Sequence, residues 1–421
     1  MVWRAGAVPE DWQRAIIVPI HKKSSRRKCG NYRGISLLSI PGKVFARILS
    51  DRVKQLTYNR LLEEQAGFRS GRGCTDHIFV IRQLVEKHLE KEKKMFAAFI
   101  DLEKAYDKVW RADLWSALRE YGIEGRLLGS IEALYKECKA CVRVEGELSE
   151  EFSVKQGLRQ GCPLSPWLFN IFLDRVVREA MMEFQGGVAL DNCLIQILLF
   201  ADDTIVMAQT ERDLAVNIKG LHEAIKRHGL TINWCKSNTM VFSKEHTECK
   251  VEVEGVQIEQ VRETVYLGMR LSENGGMESE LERRIGMAAT TVGALREPVF
   301  GNKGLSKEAK LRVYNAVVVP TLVYGCEACV LKERDKSRVQ AMEMKVLRGV
   351  AGVTRLDCVR SEGIRNRLKQ EAVVARVKRR REGWKDRVIE NQGSLVEKVM
   401  RGQVEGRRPR GRPRKRWSDD F

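Results

Sequence analysis

Apolar runs of strand length stand out in the first half of the chain. Residues 95–100 form a short apolar and aromatic run that ends on Asp101, which predicts a buried strand with a carboxylate at its tip. Residues 194–200 and 204–208 are two further runs, and Ala201, Asp202 and Asp203 separate them. This arrangement predicts a β-hairpin that carries two aspartates at its turn.

Helical spacing of apolar residues marks the segments around these runs. Thr210 and Asp213 have the spacing of a capping box, and Gly229 is a typical helix end, so a helix is expected between them. The other helices are predicted over residues 41–56, 75–94, 164–184, 277–295, 306–319 and 335–350. The order strand, helix, hairpin, helix favours an α+β domain whose antiparallel sheet is covered on one face, followed by a helical region.

Composition adds a strong positive charge to this outline. Lysine and arginine number 75 against 56 aspartates and glutamates, which gives a net charge of +19. Such an excess of positive charge favours binding to a polyanion, with nucleic acid as the first candidate and an anionic membrane surface as the second. No apolar run reaches the roughly 18–20 residues that span a bilayer, so no membrane partner is expected. The eleven cysteines, without a secretory signal, predict a reduced intracellular compartment.

Asp101, Asp202 and Asp203 are the candidate catalytic residues. Nucleotidyl transfer with two divalent ions needs carboxylates from separate elements that converge on one point, with the ions about 3.5–4 Å apart. A strand end and a neighbouring hairpin turn would supply such a site. Taken singly, however, an aspartate at a strand end is usually a helix cap, and two aspartates at a turn usually stabilise the turn itself.

Ordered sequence blocks around these aspartates carry a stronger signal. They are FIDLEKAYD at 99–107, QGLRQGCPLSP at 156–166, FADD at 200–203, GLTINWCK at 229–236 and YLG at 266–268. Upstream stand PEDW at 9–12, HKK at 21–23, NYRGIS at 31–36 and QAGFRSGR at 65–72. In order and spacing these blocks resemble motifs A to E and the fingers motifs of reverse transcriptases from non-LTR (LINE-type) retrotransposons.

The resemblance implies a right-hand polymerase and a role for each aspartate. Asp101 and Asp202 would ligate two Mg²⁺ ions, with Mn²⁺ as an alternative, and Asp203 would help at one of them. The implied segments are fingers at 1–95, a palm at 96–270, a helical thumb-like region at 271–360 and a basic C-terminal segment at 361–421. The last fifteen residues or so are expected to be disordered.

The resemblance also assigns residues to the nucleotide and the template. Tyr106 stands at the sugar-gate position, where a large ring would clash with a ribose 2′-OH and select dNTPs; the alternative is a core tyrosine. Gln160 and Gly161 would contact the incoming nucleotide and the template, and a glycine lets the backbone approach a ligand closely.

Basic residues are implied at the triphosphate. Arg33 would bind it together with Lys22 or Lys23, and the choice between the two lysines stays open. The alternative for the other lysine is a solvent-exposed charged residue that does not bind the nucleotide. Lys236 would protonate or neutralise the leaving pyrophosphate; the alternative is a surface lysine.

Two departures from the family pattern affect these expectations. The usual Arg-Pro-Ile-Ser of the fingers is Arg33-Gly-Ile-Ser here, and a glycine frees a backbone angle that a proline would fix. The chain also has no segment before the fingers motifs that would fit an upstream endonuclease, so it resembles a truncated or degenerate copy, and any nick in target DNA would come from elsewhere.

Four cysteines have zinc-ligand spacing in two separate pairs, Cys138 with Cys141 and Cys326 with Cys329. No histidine pair accompanies either, and both lie in apolar stretches, which favours buried thiols over a joint zinc site.

The C-terminal tail contains Arg-Gly-Arg-Pro with Arg410 and Arg412, the core of an AT-hook that would enter the minor groove of A·T-rich DNA. The alternative is a flexible basic tail with only phosphate contacts. The cluster at 378–381 is typical of a nuclear localisation signal, so a nuclear location is expected.

The function that follows from the resemblance is RNA-directed DNA polymerisation. The partners would be an RNA template, a DNA primer or target DNA, and dNTPs. A different class of function is a catalytically decayed or repurposed nucleic-acid-binding protein of the same fold. An RNA-directed RNA polymerase is disfavoured by Tyr106 and by the non-LTR form of motif B.

Overall fold

The N-terminal part of the chain folds as a β-hairpin followed by two long helices. The structure, a computed structural model, describes residues 2–22, 25–191, 193–409, 411 and 414–421. The elements of this part are α1 (Val2–Ala5), α2 (Glu10–Gln13), β1 (Arg14–His21), a 3-10 turn (Cys29–Asn31), β2 (Tyr32–Leu38), α3 (Ile40–Thr57) and α4 (Cys74–Glu90). β1 and β2 pair antiparallel, from Ala15 opposite Leu38 to His21 opposite Tyr32.

The middle of the chain supplies most of the strands. Its first elements are β3 (Met95–Ile100), α5 (Ala105–Lys108), α6 (Arg111–Glu120), α7 (Gly125–Tyr135), β4 (Lys139–Val144), β5 (Glu147–Leu148), β6 (Phe152–Ser153) and α8 (Ser165–Met181). The hairpin region and its following helix are β7 (Val188–Leu190), β8 (Cys193–Ile195), β9 (Ile197–Phe200), β10 (Asp203–Ala208) and α9 (Glu211–Arg227). The remaining strands are β11 (Asn238–Phe242), β12 (Glu252–Val253), β13 (Val256–Gln257), β14 (Glu259–Gln260), β15 (Glu263–Tyr266) and β16 (Met269–Ser272).

A five-stranded sheet in the order β14-β11-β3-β10-β9, here called the palm sheet, forms the centre of the molecule. All its pairs are antiparallel except β11 with β14 at one edge. β3 lies in the middle, and all six of its residues are buried. Its even-numbered residues face a core formed with α8 and α9, and its odd-numbered residues face a second core formed with α4.

The palm sheet is therefore covered on both faces, and the prediction of a single covered face is wrong. Strand β3 shows the reason, because its apolar run does not alternate with polar residues. A strand that is apolar at consecutive positions is typical of a sheet buried on both sides, whereas a sheet with one wet face alternates.

A second sheet, here called the fingers sheet, combines distant parts of the chain. Its order is β2-β1-β4-β5, with β6 also paired to β4. β1 and β4 are parallel, with Arg14 opposite Lys139 and Ile17 opposite Val142. The fingers sheet thus contains three strands from residues 96–270, and α4, from residues 1–95, packs on the palm sheet.

The C-terminal part is helical, as the spacing of its apolar residues predicts. Its elements are α10 (Glu278–Ala294), a π-helical turn (Arg296–Phe300), α11 (Lys307–Val313), a second π-helical turn (Tyr314–Val318), α12 (Val319–Val323), a 3-10 turn (Cys326–Ala328), α13 (Glu333–Ala351), α14 (Ser361–Leu368), α15 (Val373–Glu390), α16 (Leu395–Arg401) and a 3-10 turn (Trp417–Asp420). Residues from α10 to α15 share one core, so the helical region continues beyond residue 360. Among the described residues, no helix combines the length and the apolar character that crossing a bilayer requires.

The expectation of a disordered C-terminus is wrong for residues 414–421. Trp417 is only 3% exposed and fills the second core of the palm sheet. Its ring centre lies 4.8 Å from that of Phe79 and 6.0 Å from that of Trp384, and its indole N–H donates to the Glu327 carbonyl at 2.7 Å. An aromatic ring with a buried hydrogen bond orders a segment whose charge alone suggested disorder. Arg410 and Arg412, the residues of the predicted AT-hook, lie outside the described residues.

Candidate active site

The three candidate aspartates lie at one end of the palm sheet. β3 and β10 are neighbouring antiparallel strands, and Thr204 pairs with Ile100 at the end of that ladder. Asp101 follows Ile100 directly, and Asp202 and Asp203 precede Thr204. The predicted hairpin is present, because β9 and β10 pair antiparallel and only Ala201 and Asp202 separate them.

The two aspartates of the hairpin are affected by burial and by the neighbouring carboxylates. Loss of hydration raises the pKa of Asp203 to about 6, and the charges of Asp202 and Asp101 contribute to that increase. The pKa of Asp202 is also raised, first by burial and then by Asp101. Carboxylates in this relation favour a cation between them, since a bound cation would relieve their repulsion.

The chemistry of these donors fits hard divalent cations, which prefer oxygen ligands. The part of the chain that the structure describes contains no group of three or more His, Cys, Asp or Glu side chains arranged as a ready-made metal cage. Mg²⁺ commonly uses one or two carboxylates together with substrate phosphates, so a site completed by the nucleotide agrees with this arrangement.

Lys236 lies beside the first of these carboxylates. Its ammonium group donates to Asp101 Oδ2 at 3.2 Å. The backbone amide of Asp101 is held by the Ser237 hydroxyl at 3.1 Å, and its carbonyl accepts from the Asn233 amide at 2.8 Å. Hydrogen bonds therefore hold the segment that carries Lys236 against the end of β3. Lys236, which the sequence predicts to act on the leaving pyrophosphate, lies beside Asp101.

Tyr106 lies in α5, the short helix that follows Asp101. Its ring stacks on Phe169 of α8, with centres 4.3 Å apart and planes inclined by 18°. Burial raises the pKa of the Tyr106 phenol, and the charge of Asp202 raises it further, which places the ring near that carboxylate. The phenol oxygen is buried and has no hydrogen-bond partner among the described residues. The ring is therefore held by stacking, as a steric barrier requires.

The basic candidates of the fingers face the same site. The charges of Arg33 and then Lys22 act to lower the pKa of Asp202, against the effects of burial and of Asp101. Arg33 is on β2 opposite Ile20, and the Lys22 amide donates to the Asn31 carbonyl at 2.8 Å. Lys23 lies outside the described residues, so the choice between the two lysines stays open.

Gln160 and Gly161 lie where the segment before α8 meets β2. The side-chain amide of Gln160 (Nε2) donates to Asp107 Oδ1 at 3.3 Å, and its backbone carbonyl accepts from the Ser36 amide at 2.7 Å. Gly161 has a φ of +121°, and a Cβ at this position would lie 2.5 Å from the Ser36 carbonyl oxygen. The close backbone approach expected at this glycine is therefore made to β2, while its contact with a nucleotide or a template stays a prediction.

Three residues at the site had no role assigned from the sequence. Phe169 supports the Tyr106 ring, Ser237 holds the backbone of Asp101, and Gln65 contacts the hairpin turn. Only their positions inside or beside the motif blocks set them apart in the sequence, because a contact across more than sixty residues leaves no local pattern.

The two cysteine pairs lie in different parts of the structure. Cys138 is buried in the first core of the palm, where its sulfur accepts from the Arg159 guanidinium at 2.8 Å. Cys326 belongs to the core of the C-terminal helices, and Cys329 to the second core of the palm sheet. All eleven cysteines are free thiols. The preference for buried thiols over a joint zinc site agrees with these positions.

Residues 20–271 match the family model described as "Reverse transcriptase (RNA-dependent DNA polymerase)". The chain is 25% identical over 421 residues to a Drosophila melanogaster protein named "Probable RNA-directed DNA polymerase from transposon X-element", with 96% of this chain and 45% of that protein covered. It is 24% identical over 426 residues to "RNA-directed DNA polymerase from mobile element jockey" of the same species, covering 98% and 45%. The chain spans about half the length of the curated relatives it matches.

Among solved structures, the chain is similar to telomerase from Candida tropicalis truncated from its C-terminal domain. The sequence identity is 13%, the TM-score is 0.45, and the match covers 63% of this chain and 54% of that one. The family model covers more than half of the chain, and together with the relatives it bears out the resemblance to LINE-type reverse transcriptases. The helices and sheets of the structure itself bear out the α+β class. The chain belongs to the reverse transcriptase (RNA-dependent DNA polymerase) family.

Proposed function

We propose that this chain is an RNA-directed DNA polymerase that extends a DNA 3′-OH with dNTPs on an RNA template. The observation that supports the proposal is the position of Asp101, Asp202 and Asp203 at one end of the palm sheet, where burial and neighbouring carboxylates raise the pKa of Asp202 and of Asp203. Carboxylates that meet from separate elements can hold the two ions that nucleotidyl transfer uses.

The residues around the carboxylates fit the parts of that reaction. Asp101 and Asp202 would hold two Mg²⁺ ions, and Asp203 would help at one of them. Bound there, the ions would stabilise the charge on the attacking and leaving oxygens. Arg33 and Lys22 supply positive charge on the fingers side, where the triphosphate would bind.

A primer-extension assay tests the proposal. Purified protein receives poly(rA)–oligo(dT), dTTP and Mg²⁺, beside an Asp202→Ala control and a filter-binding measurement of its affinity for RNA. We expect extension by the wild-type protein above the control. No extension with RNA binding intact would reject the proposal and favour a nucleic-acid-binding protein that has lost its chemistry.

Replacing Tyr106 with valine is expected to reduce the preference for dTTP over UTP by about 100-fold, the scale on which one small group discriminates between substrates in a pocket. The smaller side chain would remove the ring that stacks on Phe169 and open space for a 2′-OH. The measurement is kcat/KM for each nucleotide on poly(rA)–oligo(dT). Tyr106→Phe is the matched control, and it should discriminate like the wild type because the phenol oxygen has no partner among the described residues. An unchanged ratio in Tyr106→Val would contradict the gate.

Replacing Lys236 with alanine is expected to lower kcat for dTMP incorporation by about 10²-fold, the lower end of what a proton donor contributes. The KM for dTTP should change less, because the substitution removes an interaction with the leaving pyrophosphate. Single-turnover kinetics measure the effect. Lys244→Ala is the control: that lysine lies beyond the far end of β11 and pairs with Glu92 at 2.7 Å, so its removal should leave kcat unchanged. Equal rates for Lys236→Ala and the wild type would show a surface lysine.

A further inference from the structure

A short segment between α3 and α4 lies directly behind the turn that carries Asp202. Residues 64–67, here called the support segment, run alongside β9, which is an edge strand of the palm sheet. The Ala66 amide donates to the Leu199 carbonyl at 2.9 Å, and the Leu199 amide donates to the Glu64 carbonyl at 2.9 Å. The segment thereby continues the sheet with one parallel bridge.

Gln65 links this segment to the catalytic turn itself. Its side chain is fully buried, and Oε1 accepts from the Gly67 amide at 2.8 Å and from the Ala201 amide at 3.0 Å. Ala201 has a φ of +57°, in the left-handed region that residues other than glycine rarely adopt. The hydrogen bond from Gln65 therefore fixes a strained residue that immediately precedes Asp202.

Gly67 shows how closely the two segments approach. A Cβ at this position would lie 2.3 Å from the Ala201 backbone nitrogen, so only glycine fits. The Gly67 carbonyl accepts from the Asn170 side-chain amide at 2.7 Å, and Asn170 lies on α8 next to Phe169. The support segment thus joins the turn of Asp202 to the helix that supports the Tyr106 ring.

We propose that Gln65 is a positioning residue for metal binding by Asp202. Through the Ala201 amide it sets the conformation of the turn and hence the direction of the Asp202 carboxylate. The inference rests on the proposed function. Partners that orient a metal ligand typically contribute about 10–100-fold in metal affinity or activity. A displacement of about 1 Å at a reacting centre has an effect of similar size.

Gln65→Met tests the role, because it keeps the length of the side chain and removes the acceptor. Mn²⁺ binding is measured by electron paramagnetic resonance on the protein with primer–template, and kcat and KM for dTTP are measured in parallel. We expect Mn²⁺ affinity and kcat each to fall by about 10–100-fold, with little change in KM. Mn²⁺ binding is measured without turnover. A wild-type protein that binds Mn²⁺ but extends no primer would therefore contradict the proposed function and leave the role of Gln65 in metal binding testable.

Thr57→Val is the matched control for lost stability. Thr57 is also fully buried, and its hydroxyl accepts from the Trp167 indole and donates to the Val53 carbonyl, at 2.8 Å each. This variant should lose thermal stability and bind Mn²⁺ like the wild type. The proposal is overturned if Gln65→Met binds Mn²⁺ and turns over like the wild type, or if a smaller folded fraction fully accounts for its lower Mn²⁺ binding and kcat. If Gln65→Met does not fold, Gln65→Asn replaces it, because the shorter side chain withdraws the amide by one methylene. We expect the same losses of Mn²⁺ affinity and kcat, and wild-type values would overturn the proposal.

Discussion

Replacing Asp202 with asparagine is expected to lower kcat for dTMP incorporation by at least about 10³-fold. Asp202 would ligate both ions, and metal stabilisation of the transition state is worth several kcal/mol, where each 1.36 kcal/mol is a factor of ten. Asparagine keeps the shape of the side chain and removes its charge. The measurement is single-turnover extension of oligo(dT) on poly(rA) at saturating dTTP and Mg²⁺.

The three aspartates should respond in a definite order. Asp101→Asn is expected to match Asp202→Asn, because the two carboxylates would share both ions. Asp203→Asn should be the mildest, because Asp203 would help at only one ion, and raising the Mg²⁺ concentration should restore part of its activity. An Asp203→Asn loss as large as that of Asp202→Asn would contradict this division of roles.

Thermal unfolding separates chemistry from folding in these variants. In the folded protein the pKa of Asp203 is raised to about 6, so its proton is bound more tightly than in the unfolded chain and its ionised form opposes folding at neutral pH. Removing that charge should therefore leave the unfolding temperature at pH 7 unchanged or raise it. A variant that loses activity together with a lower unfolding temperature would point to damaged structure instead.

Replacing Trp417 with alanine is expected to lower the free energy of unfolding by about 3–5 kcal/mol, the range for large aromatic residues in cores. The ring packs on Phe79 and Trp384, and its N–H donates to the Glu327 carbonyl. Loss of the ring would leave a cavity behind the palm sheet and a carbonyl without its donor. Urea unfolding followed by circular dichroism measures the change.

Two variants of the same segment act as controls. Trp417→Phe keeps a ring and loses the hydrogen bond, so it should fall between the wild type and Trp417→Ala. Phe421→Ala should be much milder, because Phe421 is 46% exposed although its ring centre lies 4.7 Å from that of Trp417. If Trp417→Ala and Phe421→Ala were both neutral, the C-terminal segment would be disordered, as its charge suggests.

Features encoded by neighbouring residues were predictable from the sequence. Thr210 caps α9 by accepting from the Asp213 amide at 3.1 Å, as the capping-box spacing predicts. The β9–β10 hairpin lies where the apolar runs and the two aspartates place it. The motif blocks also singled out Asp101, Lys236 and Tyr106, which the structure brings to the same end of the palm sheet: Lys236 contacts Asp101, and Tyr106 lies near Asp202.

Features that depend on distant packing were not predictable in the same way. The second covered face of the palm sheet uses Trp417, which packs against Phe79 more than three hundred residues earlier. The role proposed for Gln65 depends on the amide of Ala201, a contact across 136 residues. A hydrophobic or polar pattern shows which side of an element is buried, but not which remote residue covers it.

The parallel pairing of β1 with β4 has a consequence for the chain during its synthesis. The β1–β2 hairpin leaves the ribosome roughly a hundred residues before β4 is complete, which at about 5–20 residues per second amounts to roughly 5–20 s. Through that interval β1 presents an open strand edge, the kind of surface that recruits other unpaired chains. The fingers sheet can therefore be completed only after β4 has been translated, and until then the open edge of β1 can pair with other unfolded chains.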